Sequence, residues 1–182
     1  TSVVTTGQPL ILLLRIVNKP GFLYNKFKRG VIMIRRAQEN DINGINNLLY
    51  QVNNVHADGR PDLFKHGGKK YNDDQLLEII NDDSRPIFVY TDENEKVLGY
   101  AFCIFQNNYG NKITLYIDDL CVDENCRGKH IGTKLYEHVV SFAKEHDCYH
   151  ITLNVWCLNE SAMKFYEKCG LTPLKIMMEK TL

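Results

Sequence analysis

Two adjacent carboxylates, Asp118 and Asp119, interrupt an otherwise apolar stretch that reads KITLYIDDLCV over residues 112–122. Successive side chains on a strand point to opposite faces, so at least one of the two is expected to point inwards or into a cleft. A carboxylate in such a position is unfavourable unless it has a partner or a use. The pair is therefore either part of a reaction site or an exposed acidic pair at a strand bulge.

The stretch that follows has the composition of a phosphate-binding loop. Residues 122–134 read VDENCRGKHIGTK and join a predicted strand to a long predicted helix. Glycines at such a junction let backbone N–H groups approach an anion, and the helix N-terminus adds a favourable dipole. Arg127 and Lys129 add positive charge, while the spacing of Gly128 and Gly132 fits neither a P-loop nor a dinucleotide fingerprint. The alternative is a polar loop without a ligand in front of an amphipathic helix.

This loop resembles the pyrophosphate-binding motif of the GCN5-related N-acetyltransferase (GNAT) superfamily, written Q/R-x-x-G-x-G/A. Arg127 fills its first position and Gly132 its last, whereas His130 stands where the family usually has glycine. The later segment NESAMKFYEKCGL resembles the last conserved helix of the family, N-x-x-A-x-x-x-Y-x-x-x-G. All fixed residues of that second pattern are present, namely Asn159, Ala162, Tyr166 and Gly170.

The resemblance extends in order over residues 31–182 and implies a soluble enzyme that takes acetyl-CoA as its cosubstrate. Backbone N–H groups near Cys121 and Val122 would then hold the thioester carbonyl oxygen, since oriented donors stabilise developing negative charge. The small Ala162 would let the cofactor lie close to its helix. The cofactor-binding residues that the resemblance implies are Leu120, Cys121, Val122, Arg127, Gly128, Lys129, His130, Ile131, Gly132, Thr133, Asn159, Ala162 and Tyr166.

Tyr166 is the candidate catalytic acid, which is the role of the matching tyrosine in the family. A phenol has a reference pKa of about 10, so it stays protonated at neutral pH and can donate to a departing thiolate. The alternative is a core tyrosine packed against Phe165.

The segment YIDDLCV also resembles the Y-x-E-D-I-Y-V segment of polyamine acetyltransferases within this superfamily. Carried over, Asp118 becomes the candidate base and Asp119 a contact for a cationic amine. Because the reference pKa of an aspartate is only about 3.9, a base at this position needs a raised pKa or a bridging water.

In the family, the loop between the first two helices lines the acceptor site, which makes His56 and Arg60 candidate substrate contacts. An exposed loop histidine is the alternative for His56. Cys121 is expected to be a packing thiol, because the family generally transfers the acetyl group directly in a ternary complex.

We therefore expect an N-acetyltransferase that moves an acetyl group from acetyl-CoA directly to a primary amine, in particular a small cationic amine. Three other functions stay open at this point. They are acetylation of a protein N-terminus or lysine, a non-catalytic acyl-CoA-binding regulatory module, which His130 would suit, and a protein-interaction domain of this fold without a cofactor.

The composition agrees with a globular enzyme. The 182 residues carry a formal net charge of +0, which gives no global attraction for nucleic acid. The six cysteines are irregularly spaced and lack metal-ligand pairs, so we expect free thiols, no metal and a reducing, cytoplasmic setting. The apolar run over residues 10–17 is far shorter than the roughly 20 residues of a membrane span, and no membrane partner is expected. The sequence is compatible with a homodimer.

The elements that position these residues follow from apolar spacing and turn residues. Their predicted order is β-α-α-β-β-β-α-β-α-β, which indicates an α/β domain over residues 31–182 with a mixed, mainly antiparallel central sheet flanked by helices. Residues 1–30 form an N-terminal extension whose origin the sequence leaves open. Strands are predicted over residues 31–36, 86–90, 97–105, 112–122, 150–156 and 174–182, helices after residue 41, over 73–81, after 130 and over 160–169, and a loop over 56–68.

Overall fold

The computed structural model describes residues 33–182 of the chain. The predicted N-terminal extension over residues 1–30, with its apolar run over residues 10–17, lies outside the described residues. No helix within residues 33–182 is long and apolar enough to cross a membrane.

Five strands of the described chain form one sheet with the spatial order β1-β2-β3-β4-β5. The first four strands pair antiparallel with their neighbours, and β5 pairs parallel with β4. This arrangement confirms the mixed, mainly antiparallel sheet that the sequence predicts. The strands are β1 Met33–Arg36, β2 Ile87–Thr91, β3 Val97–Tyr109, β4 Lys112–Val122 and β5 His150–Leu153.

Helices cover both faces of this sheet. The first two pack on one face, over a core that includes Leu48, Leu76 and Tyr100, and the third packs on the other face, over a core that includes Leu115 and Leu135. Apolar residues at helical spacing form these buried stripes, as the sequence predicts. The helices are α1 Ile42–Gly59, α2 Asp73–Ile80, α3 Ile131–Glu145 and α4 Glu160–Lys168.

A β-bulge at Asp118 changes which way the side chains of β4 face. The register with β3 shifts at this point, so that Asp118 is the extra residue of the pair. Ile117 belongs to the core beneath α3, whereas Cys121 belongs to the core beneath α1. In an unbroken strand, residues an even number apart share one face. The bulge therefore lets Asp118 and Asp119 point to the same side, and the prediction of opposite faces was wrong.

The loop predicted over residues 56–68 begins later than expected. Helix α1 continues to Gly59, so His56 lies in its last turn rather than in a loop. The backbone N–H of Arg60 donates to the carbonyl oxygen of His56 at 2.8 Å and closes that turn. His56 therefore has a fixed position on a helix, which a loop residue would lack.

The strand predicted over residues 174–182 does not form. Residues 171–182 are neither helix nor strand. A strand needs a neighbour for its backbone groups. The side chain of Glu179 instead holds this segment, through two hydrogen bonds with Arg60 of 2.9 and 3.0 Å. As a result, the apolar side chains of Ile176, Met177 and Met178 are 77%, 90% and 86% exposed.

Candidate active site

The carboxylate of Asp118 is held by two side chains from the segment between α1 and α2. Its Oδ2 atom accepts hydrogen bonds from the Lys70 ammonium at 2.7 Å and from the Tyr71 hydroxyl at 3.0 Å. The Tyr71 ring stacks on Phe102 of β3, with centroids 5.8 Å apart, which fixes the position of the hydroxyl. A cation and a phenol therefore already balance the charge of Asp118.

The neighbouring Asp119 lies in a different environment. Its Oδ2 atom accepts a 2.8 Å hydrogen bond from Tyr100, whose side chain is fully buried. Burial raises the pKa of the Asp119 carboxyl to about 6, while the Tyr100 hydrogen bond and the Lys70 charge act in the opposite direction. A carboxylate with such a pKa is matched to proton transfer at neutral pH.

Tyr166 lies on α4 within electrostatic reach of this pair. Burial raises the pKa of its phenol, and the charge of Asp119 raises it further. Its ring also packs edge-on against Phe165, with centroids 5.1 Å apart. The phenol is therefore protonated at neutral pH, and one residue combines the packing and the proton that the sequence offered as alternatives.

Helix α4, which carries Tyr166, begins at a side-chain cap. The Oδ1 atom of Asn159 accepts a hydrogen bond from the backbone N–H of Ala162 at 3.1 Å. This cap satisfies one of the free N–H groups of the first turn and fixes where the helix starts. Asn159 thus positions the helix, whatever else it contacts.

The predicted phosphate loop is exposed and has an unusual backbone. Gly128 and His130 have φ angles of 77° and 60°, in the left-handed region that favours glycine. Glycine, which the family pattern has at the position of His130, adopts this conformation without strain. His130 adopts it although it carries a Cβ atom. The residues from Arg127 to His130 are all exposed.

Helix α3 starts directly after this loop, with His130 as its N-cap. The N–H groups of the first turn, from Ile131 to Thr133, have no intrahelical acceptor and point out of the helix end. A Cβ atom on Gly132 would stand 3.4 Å from the Phe165 ring, so the helix start lies beside α4. Free N–H groups, the helix dipole and two exposed cations together suit a pyrophosphate.

Cys121 is buried at the end of β4, between Leu120 and Val122. Its thiol contacts the carbonyl oxygen of Leu48 at 3.7 Å, and burial raises the pKa of the thiol to about 12. The sulfur is therefore protonated at neutral pH. These contacts are those of a packing thiol.

The two candidate acceptor contacts line a cavity of about 470 Å³. Burial, and next the charge of Lys70, lower the pKa of the His56 imidazole, so the ring is neutral at neutral pH. Arg60 forms ion pairs with Asp62 at 2.7 Å and with Glu179 at 2.9 Å. A larger hollow of about 560 Å³ lies between the start of α1 and α2, and none of the predicted site residues lines it.

The structure thus gathers residues of several elements. The segment between α1 and α2, the bulged part of β4 and helix α4 contribute to one cluster, in which Lys70 pairs with Asp118 and the charge of Asp119 acts on the neutral phenol of Tyr166. The sequence analysis missed Lys70, Tyr71 and Tyr100. A signal was available in the basic-aromatic segment KKY, which precedes the cap of α2. Within residues 33–182, no group of three His, Cys, Asp or Glu side chains is arranged to hold a metal ion.

Comparison with known proteins decides the family. The profile of the acetyltransferase (GNAT) family matches residues 49–171. The chain belongs to this family. Its loop at Arg127 and its helix at Tyr166 both lie within the matched range, so the GNAT profile covers the two motifs on which the resemblance rests.

Individual relatives agree with the GNAT family. The chain is 26% identical to the thialysine N-epsilon-acetyltransferase of Bos taurus over 149 residues, 76% of this chain and 83% of the relative. It is 38% identical to the glucosamine 6-phosphate N-acetyltransferase of Arabidopsis thaliana over 65 residues, 36% of this chain. That match spans 42% of the plant enzyme, which is less than half of its length.

A solved structure confirms the fold. A tetramutant of the BH1408 protein from Bacillus halodurans superposes with a TM-score of 0.76 at 31% identity, over 82% of this chain and 99% of that chain. The mixed sheet flanked by helices is therefore the GNAT fold.

Proposed function

We propose that this GNAT chain transfers the acetyl group of acetyl-CoA directly to the primary amine of a small cationic acceptor. One observation carries the proposal. Asp119, whose pKa is about 6, lies on the same side of the sheet as Asp118 and within electrostatic reach of the protonated Tyr166. A base and an acid at one site are what amide formation from a thioester needs.

Asp119 is the better base of the two carboxylates. Its pKa near 6 leaves it deprotonated at neutral pH and still able to take a proton from an amine. The carboxylate of Asp118 already accepts hydrogen bonds from Lys70 and Tyr71, so two partners occupy it. We therefore exchange the roles that the resemblance gives the pair: Asp119 takes the proton, directly or through a water, and Asp118 contributes negative charge that attracts a cationic amine.

Tyr166 acts at the other end of the reaction. Acetyl-CoA, when bound, supplies the carbonyl carbon to which the amine nitrogen bonds and the sulfur that leaves. Tyr166 donates its phenolic proton to that sulfur, because burial and Asp119 keep the phenol protonated. The two protons that move are thus handled by Asp119 and Tyr166.

The binding of the cosubstrate falls to the loop and the helix start. Arg127 and Lys129 supply positive charge, and the N–H groups from Ile131 to Thr133 supply hydrogen-bond donors for phosphate oxygens. The end of β4 at Cys121 and Val122 would offer backbone N–H groups to the carbonyl oxygen. The protonated, buried thiol of Cys121 supports direct transfer, since a protonated thiol is a poor nucleophile.

Binding is tested first, by titrating the purified protein with acetyl-CoA and with free CoA in a calorimeter. Dissociation constants in the micromolar range are expected. Thiol release is then followed with a panel of diamines, amino sugars and a peptide with a free N-terminus. Transfer to small cationic amines supports the proposal. Transfer to the peptide alone would mean that the acceptor is a protein N-terminus and not a small cationic amine. Binding without any transfer would make the chain a regulatory acyl-CoA-binding module.

The acid is tested by Tyr166→Phe, which keeps the ring and removes the proton. A fall in kcat of roughly 100-fold is expected, within the usual range for general acid catalysis. Tyr149→Phe is the matched control, because Tyr149 is 62% exposed and lies outside the cluster. An unchanged kcat in a folded Tyr166→Phe variant would remove Tyr166 from the mechanism.

A further inference from the structure

The cavity of about 470 Å³ lies where the end of α1, the segment after β5 and the start of α4 meet. Three rings line it, from His56, Phe64 and Trp156. The ring of Phe64 is 5.2 Å from that of His56 and 5.9 Å from that of Trp156, which it meets edge to face. Trp156 is 40% exposed. The Arg60 guanidinium lies over the Trp156 ring, 5.8 Å from its centroid, so this wall already holds one cation against an aromatic face, and the exposed part of the rings can attract another.

Arg60, which also lines the cavity, has little left to offer a ligand. Its Nε and Nη2 atoms donate to Asp62, and its Nη1 and Nη2 atoms donate to Glu179, over distances of 2.7–3.0 Å. A guanidinium group has five N–H donors, and these four bonds leave one. An anionic group on an acceptor finds only this one donor on Arg60, beside two carboxylates that repel it.

The other ionisable groups of the wall make the cavity acidic. Asp58 and Glu160 line it as well. The lowered pKa of His56 makes its imidazole neutral, so it adds no positive charge at neutral pH. On the rim, Asp58 pairs with His66 and Glu160 pairs with Lys164, both at 3.2 Å. Ion pairs as exposed as these are weak, so His66 and Lys164 hold the two carboxylates only loosely. The carboxylates of the wall therefore outnumber its cations.

The cavity is connected to the reaction centre in two ways. His56 feels the charge of Lys70, and Lys70 is bonded to Asp118 at 2.7 Å. In addition, Asn159 lines the cavity and caps α4. Tyr166 follows it by seven residues, which is about 10 Å along a helix. The cavity and Tyr166 therefore lie at two points of the same helix, about 10 Å apart along its axis.

We propose that this cavity is an acceptor subsite for a second ammonium group, about 10 Å from the amine that receives the acetyl group. Trp156, Phe64 and His56 form its aromatic wall, and Asp62 and Glu179 keep Arg60 from attracting anionic tails. The preferred acceptor is a diamine, and acceptors that end in a carboxylate or phosphate are excluded. This inference rests on the proposed function and deepens it.

The test uses three primary amines with the same number of carbons: the straight seven-carbon diamine, heptylamine and 7-aminoheptanoic acid. They differ only at the seventh carbon, which carries an ammonium group, is a methyl group or is a carboxylate. We expect kcat/KM for the diamine to exceed that for heptylamine by about tenfold, which lies between the effects of an exposed and a desolvated cation–π contact. The carboxylate-ended amine is expected to be the poorest acceptor.

Two variants locate the effect. Trp156→Leu is expected to lower kcat/KM for the diamine about tenfold and for heptylamine about twofold. Glu179→Gln removes one charge that occupies Arg60, and is expected to raise kcat/KM for the carboxylate-ended amine severalfold. Tyr149→Leu, which replaces an exposed aromatic residue far from the cavity, leaves the ratio between the three amines unchanged.

Different results would overturn the subsite and the proposed function. If the three amines react alike, or if Trp156→Leu lowers all three rates equally, the subsite is overturned while amine acetylation stands. Acetylation of other amines without acetylation of the diamine would also overturn the subsite while amine acetylation stands. If no amine is acetylated at all, the proposed function is overturned together with the subsite.

Discussion

The hydroxyl of Tyr100 donates a 2.8 Å hydrogen bond to Oδ2 of Asp119, and the Tyr100 side chain is fully buried. Burial alone would push the pKa of this carboxyl higher, and Tyr100 limits the rise by stabilising the charged form. The bond also fixes the direction of the carboxylate, because the Tyr100 ring is packed edge-on against Phe102 with centroids 4.9 Å apart. Tyr100 is thus a positioning residue for the proposed base.

Tyr100→Phe is expected to move the acidic limb of the pH profile upwards. In the wild type, kcat/KM rises with pH as Asp119 deprotonates near pH 6. Without the hydroxyl, the charged form loses a hydrogen bond worth more than about 1.4 kcal/mol, so the limb moves up by about one pH unit. The measurement is kcat/KM for one diamine between pH 5 and pH 9.

A purely structural role for Tyr100 would lower activity equally at every pH. Tyr71→Phe is the matched control, since it removes the hydroxyl that Asp118 accepts from instead. A limb that moves with Tyr71→Phe and not with Tyr100→Phe would return the role of base to Asp118.

Asp119→Asn is expected to abolish activity and to stabilise the fold at the same time. The folded-state pKa of about 6 lies above the reference value of 3.8, so the folded protein holds this proton more tightly than the unfolded chain does. The wild type therefore loses stability as pH rises from about 4 to 6, and the loss above that window is on the order of 3 kcal/mol. The amide has no charge to bury and avoids this loss.

The comparison is urea unfolding of the wild type and the variant at about pH 3, below the unfolded pKa, and at about pH 8. The free energy of unfolding of Asp119→Asn should exceed that of the wild type at the higher pH and nearly equal it at the lower. Asp118→Asn serves as the partner variant, and we expect it to raise KM for cationic amines while keeping measurable kcat. Equal stability of Asp119→Asn and wild type at pH 8 would contradict the raised pKa.

The sequence predicts those parts of the site whose residues lie close together in the chain. Arg127 and Gly132 lie five residues apart, in the phosphate loop and in the first turn of α3. Asn159 and Tyr166 lie seven residues apart, at the cap and in the body of α4. The contacts it could not predict join residues far apart in the chain. Lys70 is 48 residues from Asp118, and Arg60 is 119 residues from Glu179. Their meeting depends on how whole elements pack.

The bulge at Asp118 shows the same limit within one strand. Residues 113, 115 and 117 are apolar at alternate positions, and the adjacent Asp118 and Asp119 break this alternation. The sequence therefore offers a bulge only as an alternative, and the register with β3 identifies the extra residue. The choice between two adjacent carboxylates then turns on burial, which the sequence does not contain. The final strand over residues 174–182 failed for a related reason, because strand-forming residues pair only where a neighbour is available.

His130→Gly is expected to raise the free energy of unfolding by about 0.5–1 kcal/mol. His130 has a φ angle of 60°, and the left-handed region is unfavourable for a residue with a Cβ atom. Glycine removes this strain, although its greater freedom in the unfolded chain offsets part of the gain. Because glycine can keep the left-handed backbone that His130 adopts, the dissociation constant for acetyl-CoA should change by less than about threefold, below 0.7 kcal/mol.

His130→Ala separates backbone strain from the loss of the imidazole. Alanine keeps the Cβ atom, so it should not stabilise the protein, and urea unfolding of both variants decides the matter. A tenfold gain in acetyl-CoA affinity in both variants would show instead that the histidine side chain obstructs the phosphate loop.

Lys70→Met is expected to lower KM for cationic acceptors, because Lys70 now neutralises the carboxylate that should attract them. The Lys70 side chain is 45% exposed and its ammonium lies 2.7 Å from Asp118. Removing it leaves a negative charge that an acceptor amine can pair with, and a severalfold fall in KM with a similar kcat is expected. Lys70 also lowers the pKa of Asp119, so the acidic limb of the profile should move up as well. The assay is therefore run at about pH 8, above both limbs.

Lys65→Met removes one exposed charge from the same segment and should leave KM unchanged. A rise in KM for Lys70→Met would mean that Lys70 holds the acceptor site together, and the negative charge of Asp118 would then serve the fold.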